Sequence, residues 1–171
     1  MSEQILYTTL ESPIGPLLLA ADDAGLRHIL FQAGPRSQGP DPAWRRVDSL
    51  PLEAADQLDA YFAGNLREFD LPLAPEGTTF QLEVWAALEE IPYGQTTTYA
   101  GIANQIGRPT STRAVGAANG QNPLPIVIPC HRVIGSDGSL TGFGGGLPIK
   151  QALLALERGE NPHFPEQLSL L

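Results

Sequence analysis

The hydrophobic pattern of this chain changes character once, around Ala74-Pro75-Glu76-Gly77, and that break divides it into two units of different build. Before the break the apolar residues come in short runs rich in strand formers: Ile5-Leu6-Tyr7-Thr8-Thr9, Ile14 to Ala21, and Leu26 to Phe31. Asp22-Asp23-Ala24-Gly25 between the last two is a turn signal, so its paired aspartates read as turn formers rather than metal ligands. Residues 33–51, interrupted by Pro35, Pro40, Pro42 and Pro51, read as a surface loop. Leu52 to Phe62 has helical spacing, with Leu52, Ala55, Leu58 and Phe62 on one face and Gly64 as the stop. Phe69 to Leu73 reads as one more strand.

After the break the spacing is helical. Thr78-Thr79-Phe80-Gln81 matches a capping box, and Phe80, Val84, Ala87, Leu88 and Ile91 share one face up to Pro92-Tyr93-Gly94. Thr98 can head a short helix through Ile106, stopped by Gly107; Thr110 or Ser111 can head another through Asn119. Joined by Gly107-Arg108-Pro109, the two look like a helix-turn-helix. Ile126-Val127-Ile128 reads as a short buried strand with Pro129 and Cys130 at its end. Six glycines between Gly135 and Gly146 make that stretch a loop. Pro148 suits the first turn of a last helix, buried through Leu147, Ile149, Leu153, Leu154 and Leu156 and closed by Gly159. The expected organisation is an α+β scaffold over 1–75, a helical domain over 78–160, and a tail over 161–171.

Composition limits the function classes. One cysteine cannot form an internal disulfide, which favours a reducing, cytoplasmic setting. That cysteine and the well-separated His28, His131 and His163 give no zinc spacing, so no metal is expected. No run of 18 apolar residues suggests a membrane span, and Met1-Ser2-Glu3-Gln4 does not open a secretory signal. A net charge of −9 argues against a nucleic-acid partner until its distribution is considered. Residues 1–92 hold 5 basic and 15 acidic residues, whereas 93–150 hold Arg108, Arg113, Arg132 and Lys150 against Asp137 alone. Phosphate contacts need local positive charge rather than a positive total, so this segment is the candidate nucleic-acid face, with a shallow salt dependence.

The same segment holds the chemistry. Cys130 beside His131 suggests an activated thiolate. A lone cysteine is more often a small buried hydrophobe, and on the pair alone that reading is favoured. In an extended segment neighbouring side chains point apart, so a water between thiol and imidazole is more plausible than a direct bond.

The surroundings reverse the balance. Ile128-Pro129-Cys130-His131-Arg132-Val133-Ile134-Gly135 resembles the active-site signature of the O6-alkylguanine-DNA alkyltransferases. Asn119-Gly120-Gln121-Asn122-Pro123, Arg113-Ala114-Val115-Gly116 and Gly144-Gly145-Gly146-Leu147 followed by Lys150 and Glu157 match in order, and Ser12-Pro13-Ile14-Gly15 resembles the family's N-terminal domain. The fold this implies is α+β: a small N-terminal antiparallel sheet with a helix, ribonuclease H-like, followed by a C-terminal winged helix-turn-helix domain.

The resemblance further implies single-turnover transfer of an alkyl group from O6 of guanine, and O4 of thymine, to Cys130 after base flipping. It needs no cofactor. His131 would activate the thiol through water, backed by Glu157. Tyr99 would donate to guanine N3, and Asn122 would tie the recognition helix to the active-site segment. Arg113 would be the finger that fills the vacated stack. The small residues Ala114, Gly116 and Ala117 would let their helix approach the minor groove of double-stranded DNA, with Arg132 also at that interface. The Val133 carbonyl, Phe143, the Gly144 amide and Lys150 would line the substrate pocket. Gly144 and Phe143 stand where many or some members carry serine and tyrosine. The protein would act as a monomer.

Overall fold

The computed structural model describes residues 4–34, 37–143 and 145–160. The tail expected over 161–171, and Gly144, lie outside the described residues.

The N-terminal unit is a four-stranded sheet: β1 (Leu6–Leu10), β2 (Leu17–Asp22), β3 (Gly25–Phe31) and β4 (Arg45–Arg46), in the order β3-β2-β1-β4. The first three strands form an antiparallel meander, with Thr8 opposite Leu19 and Leu19 opposite Ile29. Residues 17 to 21 of β2 are all buried, so its sequence is continuously apolar rather than alternating. At the β2–β3 turn Asp22 Oδ1 accepts from the Ala24 amide at 2.9 Å, the turn role read from the sequence. Gly25 sits at φ +143°, and a Cβ there would come within 2.5 Å of the Pro72 carbonyl. That close approach lets Leu26 donate to Pro72 O at 2.8 Å.

Two expectations for this unit are corrected. The 33–51 segment is not wholly irregular, because β4 runs parallel to β1 there, with the Arg45 amide donating to Ile5 O at 2.9 Å. Two arginines carry no strand propensity but suit an exposed sheet edge, where charge discourages further pairing. Phe69 to Leu73 forms no strand; it contributes one bridge, Leu26 to Leu73, since Pro72 has no amide to continue a ladder. The helix α1 (Ala54–Phe62) forms as expected, but its buried residues are Ala54, Leu58, Tyr61 and Phe62. The face is rotated from the predicted one, and it takes Tyr61 fully inside.

The second unit begins with α2 (Thr79–Glu89). Its capping box is complete: Thr78 Oγ1 accepts from the Gln81 amide at 3.1 Å, and Gln81 Oε1 accepts from the Thr78 amide at 2.9 Å. α3 (Tyr99–Gln105) and α4 (Thr112–Gly120) are the helix-turn-helix, and Gly107 turns between them at φ +76°. The indole of Trp85 donates to Ala118 O at 2.9 Å, fastening α4 to α2. β5 (Thr97–Thr98) and β6 (Val133–Ile134) make a small parallel sheet beside these helices. The last helix, α5 (Leu147–Glu157), buries Ile149, Leu153 and Leu154, together with Lys150 and Glu157; Leu147 is exposed, contrary to expectation. The fold is the expected α+β unit followed by a helix-turn-helix unit, and the buried apolar residues of both form one continuous core.

Ile126-Val127-Ile128 is not a strand. It is a tight turn in which Ile128 N donates to Leu124 O at 2.8 Å and Ile126 adopts φ +78°. Pro123 and Pro125 interrupt any ladder, and three β-branched apolar residues in a row make the run look like a buried strand.

Thr78→Ala removes the side-chain acceptor at the start of α2. We expect a loss of about 1 kcal/mol, a fall of roughly 2–4 °C in melting temperature for a chain of this length. Calorimetry that finds no change would show that the cap contributes nothing.

Candidate active site

The Ile126 turn delivers the cysteine. Asn122 holds it at both ends: its Nδ2 donates to Ile128 O at 2.7 Å, and its Oδ1 accepts from the Leu124 amide at 2.9 Å. The left-handed conformation of a buried, β-branched residue is costly by about 1–3 kcal/mol, and this clamp is what sustains it. Cys130 then opens a short 3-10 turn, Cys130–Arg132, rather than ending an extended strand. Three residues per turn set successive side chains apart, so Cys130 and His131 diverge although adjacent.

Cys130 is 6% exposed and forms part of the wall of a cleft of about 270 Å³. Ile29, Phe31 and Gln38 of the N-terminal unit line the cleft together with Asn119, Asn122 and Phe143. The rings of Phe31 and Phe143 meet edge to face at 5.7 Å. Burial pushes the Cys130 thiol up from its ordinary range, while the Asn122 side chain and the Lys150 ammonium both favour the thiolate. A larger cleft of about 660 Å³, between Arg67, Tyr93 and Glu89, lies against Pro129 and Arg132 but does not reach the sulfur.

His131 does not line the cleft and is fully buried. Its Nε2 lies 2.7 Å from Glu157 Oε2. Burial pushes the carboxyl of Glu157 up, but hydrogen bonds from His131 and Arg132 outweigh it and hold the group well below the usual carboxylate range. A carboxylate only accepts, so His131 Nε2 carries the proton. Burial holds the imidazole below its ordinary pKa despite the pull of Glu157, so it is neutral at neutral pH. Nδ1 then has a free lone pair, and among the described residues it has no protein partner.

Glu157 is crowded with donors. Arg132 Nε donates to Oε1 at 2.7 Å and Nη2 to Oε2 at 2.9 Å, while Nη1 reaches Ile91 O at 2.7 Å. The Gly94 amide donates to Oε1 at 3.3 Å. Tyr61, from the other unit, donates its hydroxyl to Oε2 at 2.6 Å. Arg132 was expected at a DNA surface. That expectation is corrected, because its side chain is 7% exposed and all its placed donors face inward. Sequence periodicity does not point to Tyr61; the one signal for it is a phenol on the predicted helix Leu52 to Phe62, off its apolar face.

The other expected residues fall in two places. Lys150 is fully buried and donates from Nζ to Val133 O at 2.7 Å and Thr141 O at 2.8 Å. Burial lowers its pKa, and the nearby sulfur raises it. The Val133 carbonyl is thus already engaged. Tyr99 is half-buried, its hydroxyl 2.8 Å from Thr141 Oγ1. Arg113, Ala114 and Ala117 are exposed on one face of α4, and a Cβ on Gly116 would lie 3.8 Å from the Tyr99 ring. Arg113 and Tyr99 therefore belong to the outer surface near α4, while Cys130, His131, Glu157 and Lys150 are gathered beneath it.

With a depressed pKa, Glu157 stabilises the fold above the ordinary carboxylate pKa, and the contribution is lost as pH falls through the folded value. Glu157→Gln leaves Arg132 as a buried, incompletely paired cation, so we expect a loss of about 3–5 kcal/mol at pH 7. The gap between the two proteins should narrow by about 1.4 kcal/mol per pH unit below the ordinary carboxylate range. Denaturant titrations at pH 7 and pH 3.5 that gave equal gaps would contradict this.

The family model described as the 6-O-methylguanine DNA methyltransferase ribonuclease-like domain matches residues 5–75, and that of the DNA binding domain matches residues 79–159. The methylated-DNA–protein-cysteine methyltransferase of Methanosarcina acetivorans is 54% identical over 151 residues, covering 88% of this chain and 97% of that protein. The protein of the same name from Mycobacterium tuberculosis is 50% identical over 161 residues, covering 92% and 95%. The crystal structure of Mycobacterium tuberculosis OGT in complex with DNA superposes with a TM-score of 0.84 at 49% identity, covering 92% of this chain and 95% of that one.

Proposed function

This chain belongs to the 6-O-methylguanine DNA methyltransferase family, and from that premise we propose that it repairs DNA by moving an alkyl group from O6 of guanine to its own Cys130. The observation that carries the reading is the cleft: a cysteine and two aromatic rings in its wall, and a neutral, carboxylate-backed histidine next in the chain. No cofactor enters the reaction.

The steps follow from the groups present. A flipped base enters between Phe143 and the Tyr99 edge of the site. The Cys130 proton passes through water to His131 Nδ1, and Glu157 stabilises the imidazolium that results. The charge of Lys150 and the Asn122 amide stabilise the thiolate. Sulfur attacks the alkyl carbon, the carbon–O6 bond breaks, and its electron pair goes into the guanine ring. Donation from Tyr99 to N3 offsets that growing charge. For this the hydroxyl turns from Thr141. The product is a thioether, which water does not cleave, so each molecule acts once. O4 of thymine presents the same kind of alkyl carbon.

DNA is held by the α4 face. Ala114, Gly116 and Ala117 allow close approach to a minor groove, and Arg113 fills the gap left by the extruded base. With Arg132 and Lys150 turned inward, Arg113 and Arg108 carry the positive charge of that segment, and Arg108 already pairs with Glu83 at 3.3 Å. We assign action as a monomer in the cytoplasm, where the thiol stays reduced. Among the described residues no helix is long and apolar enough to cross a membrane.

Two experiments test this. After incubation with a duplex containing O6-methylguanine, the Cys130 peptide should gain one methyl, with repair saturating near one lesion per protein. Cys130→Ser should abolish it. Binding without an adduct would make the protein a lesion sensor, and turnover beyond one would make it a hydrolase. Arg113→Ala should slow repair of duplex at least ~10-fold while leaving transfer from free O6-benzylguanine within about 2-fold; a loss of 1–3 kcal/mol is expected when a single groove contact is removed. Equal loss on both substrates would exclude the finger role.

A further inference from the structure

We propose that Tyr61, a residue of the N-terminal unit, is a positioning residue for alkyl transfer: its hydroxyl shares Glu157 Oε2 with His131 and so sets how strongly the histidine holds a proton. The inference rests on the assignment of His131 as the base.

The geometry is specific. Glu157 Oε2 takes three donors: Tyr61 Oη at 2.6 Å, His131 Nε2 at 2.7 Å and Arg132 Nη2 at 2.9 Å. A carboxylate oxygen has two lone pairs, so three donors compete for its charge. Tyr61 is fully buried, and Glu157 is 96 residues away in sequence. A packing tyrosine needs no such reach, since its ring is already fixed against Phe62 at 5.5 Å and Phe69 at 5.4 Å.

The chemistry follows. When His131 takes the thiol proton, the imidazolium is stabilised by whatever negative charge Oε2 still offers. Each further donor lowers that offer. The Tyr61 hydroxyl therefore makes His131 a weaker base than a bare histidine–glutamate pair would be, and a more easily emptied one. No proton leaves Tyr61 itself, because burial first and the nearby Glu157 second push its own pKa well up. The other charged or titratable groups facing this cluster are Arg132 from the 3-10 turn, Lys150 from α5, and Tyr93 after α2, over whose ring Arg67 lies at 5.1 Å. They are unchanged by substitution at 61. The N-terminal unit thus supplies a group to the proton relay, as well as Ile29, Phe31 and Gln38 to the cleft wall.

The test is the pH dependence of single-turnover methyl transfer from an O6-methylguanine duplex, read by mass. Neutral His131 is needed, so the rate falls on the acid side as the histidine protonates. In Tyr61→Phe the ring packing remains and one competitor is gone. Its acid limb should move to higher pH by about half a unit or more, a ~3-fold loss of rate at a fixed pH on that limb, with the alkaline plateau kept. Replacing Tyr61 by 3-fluorotyrosine, a stronger donor of the same shape, should move the limb the opposite way, and it keeps the test available should the phenylalanine variant not fold. Profiles that overlay the wild type, or a uniform loss of rate with no shift, would overturn the role of Tyr61 and leave His131 as the base. Glu157→Gln distinguishes the deeper failure: a profile unmoved in that variant would remove the histidine–glutamate relay itself, and this inference with it.

Discussion

The carboxylate of Glu157 is the point on which the two halves of the molecule converge. It receives hydrogen bonds from the N-terminal helix, from the loop after α2, and from the turn that carries the cysteine. A buried carboxylate survives only when its lone pairs are filled, and burying one without partners would cost several kcal/mol. Here the donors come from four residues, Tyr61, Gly94, His131 and Arg132, which together make five hydrogen bonds. Folding either half without the other would strand the charge or its partners. Catalytic geometry and fold integrity are for this reason the same set of contacts.

Around that centre the cysteine is set by a second device. The Asn122 clamp forces a left-handed residue into an apolar environment, and the cost is carried by the clamp and the core rather than by the turn itself. The outcome is a sulfur at the edge of a cleft, disfavoured as a thiolate by burial and favoured by Asn122 and Lys150. That balance keeps the thiol protonated until a base removes the proton, the role proposed for the neighbouring histidine.

What the sequence reveals and what it conceals divide along the reach of the interaction. The α2 capping box, the β2–β3 turn and the stops at Gly64 and Gly107 are local, and they are readable because every partner lies within a few residues. Cys130, His131, Glu157, Asn122 and Lys150 could be singled out through the family motifs, and they do lie together. Neither the charge of Arg132 nor the motif that contains it says which way its side chain turns; its partner is a carboxylate 25 residues on. Tyr61 was invisible because the helix face was chosen by apolarity, and its partner is far off in sequence. The Ile126 turn was mistaken for a strand because burial and β-branching mark both, and only the flanking prolines argued otherwise. β4 escaped notice because an edge strand is defined by the neighbour it pairs with.

With two of its four central basic residues turned inward, the proposed DNA face should have little grip on undamaged duplex. Non-specific affinity comes almost wholly from phosphate contacts, so each visit to intact DNA should be brief. For a molecule consumed by one event, short residence is an asset: time is spent sampling new positions instead of dwelling on sound ones. The arginine that would have lengthened each stay is occupied instead in holding the glutamate on which the histidine leans.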